Sequence, residues 1–179
     1  EAAKSFILPL EGEISLLGGT FLMPEWHEGV DLYPKREQVA KRLSGVSPVR
    51  LAADGECLWV GKSRGHCAGK MVIFRHRQAD GAEVLTIYSH MSEISDLRVG
   101  QKYAQGYLLG TIASPQVFIE RFLHFAVAYG ATWERDLRRR PDVPLNASLE
   151  WIRERFMEPM AYIDARLNKA EEQETTLEY

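Results

Sequence analysis

The stretch Trp26-His27-Glu28-Gly29-Val30-Asp31 decides how this chain is read, together with Phe122-Leu123-His124-Phe125 almost a hundred residues later. His27 and Asp31 are four positions apart. That spacing turns two side chains to one side of a helix or of a strand, so their common direction does not depend on which forms. Gly29 between them carries no side chain, and a ligand would have access to the backbone there. His124 lies in an apolar run of Phe122, Leu123, Phe125, Ala126 and Val127, the pattern of a buried strand. Two imidazoles and one carboxylate form a set that binds zinc and leaves a fourth position open to water. The expected metal ligands are therefore His27, Asp31 and His124.

Composition sets outer bounds. The 179 residues suit a domain able to bury a sizeable core, and 45% of them are hydrophobic, which excludes a chain disordered by composition. The formal net charge of −3 leaves no electrostatic footprint for nucleic acid. No apolar run approaches the length of a transmembrane helix. Cys57 and Cys67 are the two cysteines and do not form a Cys-x-x-Cys pair, which argues against a thiolate metal site. They flank a Gly61 to Gly65 turn, so a disulfide and two separate small hydrophobes both remain open.

Taken in order, the chain reads as short strands punctuated by turns. Phe6 to Leu10 is a strand ending at Glu11-Gly12-Glu13, and Gly18-Gly19 interrupts the next apolar run. Pro34 to Leu43 has helical periodicity with Pro34 in the first turn, which predicts an inserted surface helix near 34–45. Met71 to Phe74 is a continuous apolar strand, Asp80-Gly81 a hairpin turn, and Val84 to Tyr88 the return strand. His66 reads as an exposed turn residue. Ser89-His90-Met91 follows the return strand as a loop. This spacing of strands and turns implies an antiparallel β-sheet domain over residues 1–130. Residues 131–179 read as a helical insertion and C-terminal segment packed on the same domain. Leu149, Ile152 and Phe156 lie on one helical stripe, and Pro159 should interrupt that helix. The tail from Lys169 to Tyr179 is polar and acidic.

These motifs resemble the lysostaphin-like (LytM-type) zinc metallopeptidases, which cut peptide cross-links in bacterial cell walls. The family's His-x-x-x-Asp motif corresponds to His27 and Asp31. Its His-Leu-His-Phe motif corresponds to Phe122-Leu123-His124-Phe125, and its Tyr-x-His-Leu segment to Tyr88-Ser89-His90-Met91. The Asp54-Gly55 turn and the closing Glu158-Pro159-Met160-Ala161-Tyr162-Ile163 fit as well. The resemblance implies a mainly β fold with inserted and C-terminal helices. It implies zinc on His27, Asp31 and His124, and His90 as a catalytic residue beside the metal. His76 falls where the resemblance implies a structural histidine at a strand end. It also implies export to the cell envelope or periplasm, with peptidoglycan peptide or a partner cell-wall hydrolase as the binding target.

Two departures bear on activity. Phe122 stands where the family has a histidine that assists the chemistry without holding the metal. The stretch Thr111 to Arg121 contains no glycine, although small residues in that loop would let a peptide backbone approach. The expectation is a narrowed groove and a cell-wall peptidase with impaired catalysis, unless Glu28 or His66 replaces the missing group. The alternative is a non-catalytic domain that binds cell-wall material or regulates a hydrolase.

Overall fold

Met71 and Ile73 point to one side of their strand, and Val72 and Phe74 to the other; all four are buried. A continuous apolar strand arises where both faces of a sheet are covered. The same division runs through the neighbouring strands. Leu123, Phe125 and Val127 join the core of Val72, Phe74 and Tyr88. Ala126 and Ala128 join Met71, Ile73, Leu85 and Ile87 on the opposite face.

The computed structural model describes residues 5–10, 14–15, 21–22, 27–34, 47–63, 69–112, 122–144 and 146–166. Among these, ten strands form one sheet: β1 (Ile14–Ser15), β2 (Val30–Pro34), β3 (Ser47–Arg50), β4 (Gly55–Ser63), β5 (Gly69–Arg77), β6 (Glu83–Ile94), β7 (Lys102–Tyr103), β8 (Leu108–Ile112), β9 (Leu123–Tyr129) and β10 (Phe156–Met157). The main order is β1-β2-β9-β6-β5-β4-β7, with β10 on β9 and with β8 joining β3 to β6. The fold is mainly antiparallel β, as the turn spacing implies.

Turn chemistry behaves as expected at the β5–β6 hairpin. Gly81 adopts φ +84°, and the Ala82 amide donates to Asp80 Oδ1 at 2.9 Å. Residues 131–156 cover the second face of the sheet. A five-residue π-helix, α1 (Trp133–Leu137), buries Trp133 and Leu137 there, and the short α2 (Leu149–Arg153) adds Ile152. Ser148 caps α2 by accepting a hydrogen bond from the Trp151 amide at 3.1 Å.

Three local expectations change. Pro34 is the last residue of β2, not the first turn of a helix. A proline is tolerated at a strand end because one missing donor costs little there. Residues 35–46 of the expected inserted helix lie outside the described residues. Phe156 leaves the helical stripe for β10, where it pairs with Ala128 and enters the second core. Pro159 does not interrupt a helix but opens the helical run 159–166. Its missing N–H falls where a helix has no acceptor to offer, and Glu158 accepts from the amides of Met160 and Ala161 just inside. Cys67, His66 and residues 113–121, on which the Cys57 pairing, the role of His66 and the groove width depend, also lie outside the described residues. No helix among the described residues is long and apolar enough to cross a membrane.

Candidate metal centre

β2 and β9 pair so that Asp31 stands directly opposite His124. Their neighbours Val30, Leu32, Leu123 and Phe125 are buried in the first core, which turns Asp31 and His124 to the other face. His27 precedes β2 and folds back onto the same spot. His27 Nε2 lies 3.0 Å from His124 Nδ1 and 3.3 Å from Asp31 Oδ1, and His124 Nδ1 lies 3.1 Å from that same oxygen.

Three donor atoms from residues 93 and 97 positions apart thus form a small triangle. A tetrahedral zinc with ligands at ~2.0–2.1 Å would separate them by roughly 3.3–3.4 Å. The triangle is slightly tighter than that, and a few tenths of an ångström of side-chain movement would fit it to zinc. His27, Asp31 and His124 are the described residues that could together hold a metal ion. Asp31 is held well below the usual carboxylate range: burial opposes this, but hydrogen bonds to His124 and His27 outweigh it. Its carboxyl therefore stays charged across the neutral range, as a metal ligand requires.

Gly29 has a different purpose from the one its sequence position suggests. A Cβ there would stand 2.5 Å from the Phe125 carbonyl oxygen and 2.9 Å from His124 Cε1. The missing side chain makes room for the His124 ring, not for a ligand. Glu28 is the residue that sequence reasoning underestimates. It is 7% exposed, and its Oε1 lies 3.3 Å from His124 Nε2. Burial pushes its carboxyl up, yet the closely placed His124 ring and its charge bring it down to about 2. His124 itself is 2% exposed, clasped by carboxylates at both nitrogens.

His90 lies inside β6 rather than in a loop beyond it. Tyr88 and Met91 both enter the first core, although residues three apart on a regular strand face opposite ways. The register against β5 shifts by one residue here, between the pairings of Tyr88 and Met91, and a separate shift against β8 follows between Met91 and Glu93. His90 is the extra residue, with φ +61°, a left-handed conformation uncommon outside glycine. The bulge delivers its ring to the face of Ser89 and His124, with the His90 and His124 centroids 6.0 Å apart. Gly69 lets the strands close at this point, since a Cβ there would lie 3.2 Å from the His90 Cα.

Phe122 shares the face of His124, as a two-residue step on an extended chain requires. Its ring packs against His90 at 4.7 Å and against Tyr33 at 5.1 Å. Tyr33 was not singled out from the sequence. Its position two residues after Asp31 on β2 was the available signal. His76 stands apart from the site and is fully buried. Its Nδ1–H donates to the Asp54 carbonyl at 2.9 Å, and its Nε2 accepts from the Thr86 hydroxyl at 2.7 Å, the structural role expected of it.

The stretch that carries this site, residues 25–135, matches the profile of Peptidase family M23. The chain belongs to Peptidase family M23. No curated protein matches it by sequence. Among solved structures, the M23 chain is similar to the catalytic domain of the antimicrobial peptidase lysostaphin from Staphylococcus simulans, with TM-score 0.51 and 16% identity over 85% of this chain and 99% of that one. It is also similar to a longer lysostaphin from Staphylococcus simulans, with TM-score 0.53 and 18% identity over 83% of this chain and 49% of that one. A solution structure of lysostaphin gives TM-score 0.54 at 16% identity, over 86% and 51% of the two chains. The M23 chain thus spans about half the length of these two structures, and the likeness is one of fold.

Proposed function

We propose that this M23 domain binds zinc through His27 Nε2, Asp31 Oδ1 and His124 Nδ1 and is directed at the peptide cross-links of bacterial cell walls, with turnover impaired by Phe122. The observation that carries the reading is the convergence of those three donor atoms to within 3.3 Å of one another. Zinc held there would supply a Lewis acid for the scissile carbonyl and lower the pKa of its water toward ~7.

The rest falls to the chain's own groups. A water molecule must lose a proton, the leaving amine must gain one, and the developing oxyanion needs a donor. His90 is placed to take part, its ring one side chain away from His124. Phe122 occupies the place of a second such group and can neither donate, accept nor carry charge. A positioned proton-transfer group contributes ~10²–10⁴ in rate, so its absence can silence an otherwise intact site. The cell envelope is the compartment in which such a substrate is met.

The packing of Phe122 on both His90 and Tyr33 favours a second reading, a domain that binds cell-wall material without cutting it. Purified protein tests both. Zinc content is measured after reconstitution at neutral pH for the native and His27→Ala proteins. Binding to purified peptidoglycan and release of soluble peptides are followed in parallel. One zinc per native chain and none in the variant are expected, with binding and slow or undetectable release. Absence of zinc from the native protein overturns the metal reading, and absence of peptidoglycan binding overturns the target.

A further inference from the structure

A buried carboxylate requires a partner, because desolvation penalises an isolated charge. Glu28 has a partner in His124 Nε2, an ion-pair approach of 3.3 Å that a small turn of the carboxylate would align as a hydrogen bond. The other nitrogen of that ring, Nδ1, faces His27 Nε2 at 3.0 Å and Asp31 Oδ1 at 3.1 Å. The two nitrogens of an imidazole are distinct, and the hydrogen bond made by one decides which of them is left to bind a metal. Turning the ring over would put carbon where each nitrogen now stands and break contacts on both sides. The backbone closes the remaining edge: the space where a Gly29 Cβ would sit is filled by His124 Cε1 and Nε2, at 2.9 and 3.0 Å.

We propose that Glu28 is a positioning residue, which accepts the Nε2–H of His124 and so leaves the Nδ1 lone pair turned to the metal position. The proposal rests on the zinc reading above. It also reassigns Glu28, which the sequence alone offered as a replacement for the missing histidine. Its carboxylate faces the nitrogen turned away from His27 and Asp31, so it is not available to a water molecule held among the three ligands. The residue between the two halves of the His-x-x-x-Asp motif thereby becomes part of the metal centre without touching the ion.

The test uses ¹⁵N-labelled native, Glu28→Gln and Glu28→Leu proteins. Long-range proton–nitrogen spectra report which nitrogen of His124 carries hydrogen, with and without zinc, and a chromogenic chelator competition gives the zinc Kd. In the native protein Nε2 should be protonated in both states. Glu28→Gln, whose amide oxygen still accepts that hydrogen, should keep the pattern and most of the affinity. Glu28→Leu should lose ~10–100-fold in affinity and admit the form with hydrogen on Nδ1 alone. Unchanged Kd in Glu28→Leu, or a native His124 with hydrogen only on Nδ1, overturns the proposal. If circular dichroism shows Glu28→Leu unfolded, Glu28→Asp replaces it, since its shorter carboxylate should fall short of Nε2 and give the same loss. A native protein that binds no zinc overturns the metal reading, while the metal-free spectra still judge Glu28 independently.

Discussion

The rings of His90 and Phe122 meet edge to face, with centroids 4.7 Å apart and planes at 63°. An aromatic side chain thus touches the imidazole proposed to move protons beside the proposed metal ligands, and it comes from the position where the family resemblance places a second histidine. Restoring that group is the direct test. Phe122→His should raise cleavage of peptidoglycan or pentaglycine by ~10²-fold or more. Strong zinc-dependent cleavage by the native protein with no gain in the variant would show that another residue already fills the role.

Gly29 and Gly81 separate two reasons for keeping a glycine. At Gly29 a methyl group collides with the Phe125 carbonyl and the His124 ring. Gly29→Ala should cost about 1–3 kcal/mol and weaken zinc binding as His124 shifts. At Gly81 nothing lies within 4 Å, and the obstacle is φ +84° alone. Gly81→Ala should cost about 1 kcal/mol and leave zinc binding unchanged. Urea unfolding and a zinc titration on both variants check this, and equal zinc affinities would contradict it.

The bulge at His90 predicts an unusual pattern of substitutions. Glycine tolerates φ +61° and a β-branched residue does not. His90→Gly should match the native protein in stability or exceed it by up to ~1 kcal/mol, whereas His90→Val should lose about 1–3 kcal/mol. Any residual cleavage should fall in both. A stable His90→Val protein would mean that the strand does not bulge here.

His76 gives a pH dependence with a defined sign. Burial lowers its pKa from the ordinary 6.5 to about 4. Between those values the unfolded chain binds the proton and the folded one does not, so stability falls as pH falls through that window. The loss should approach roughly 2–4 kcal/mol by pH 4. Glu28 and Asp31 act lower down: their depressed folded values give stability that is present above ~4 and is lost on further acidification. Denaturant midpoints of metal-free protein between pH 7 and 4 should slope for the native chain and much less for His76→Gln. Parallel slopes would exonerate His76.

Most of the architecture was legible because alternation and turn chemistry are local signals. His27 and Asp31 could be placed together from spacing alone, and Phe122 beside His124 from the two-residue period. What escaped depended on neighbours. The His90 bulge has no glycine or asparagine at its own position to announce it; the glycine that accommodates it, Gly69, sits on the adjacent strand. Phe156 had a credible helical stripe, but the open edge of β9 offered hydrogen bonds that a lone helical turn could not match. Glu28 reads from the sequence as a stand-in for the missing histidine, because nothing local shows that the ring of a residue 96 positions away closes over it.

The pairing of β2 with β9 joins segments nearly a hundred residues apart, so the two halves of the site meet only after the strands between them have found their places. β9 is held firmly by β6 along Val84 to Ser89, whereas among the described residues β2 contributes three positions paired to β9 and has the two-residue β1 outside it. The strand carrying Asp31 is therefore the one able to peel away while the rest of the sheet stays intact. A bound ion would act as a clasp on that flap, slowing amide exchange in β2 far more than in β6. Ion escape would then be timed by the lifting of one strand and not by unfolding of the domain.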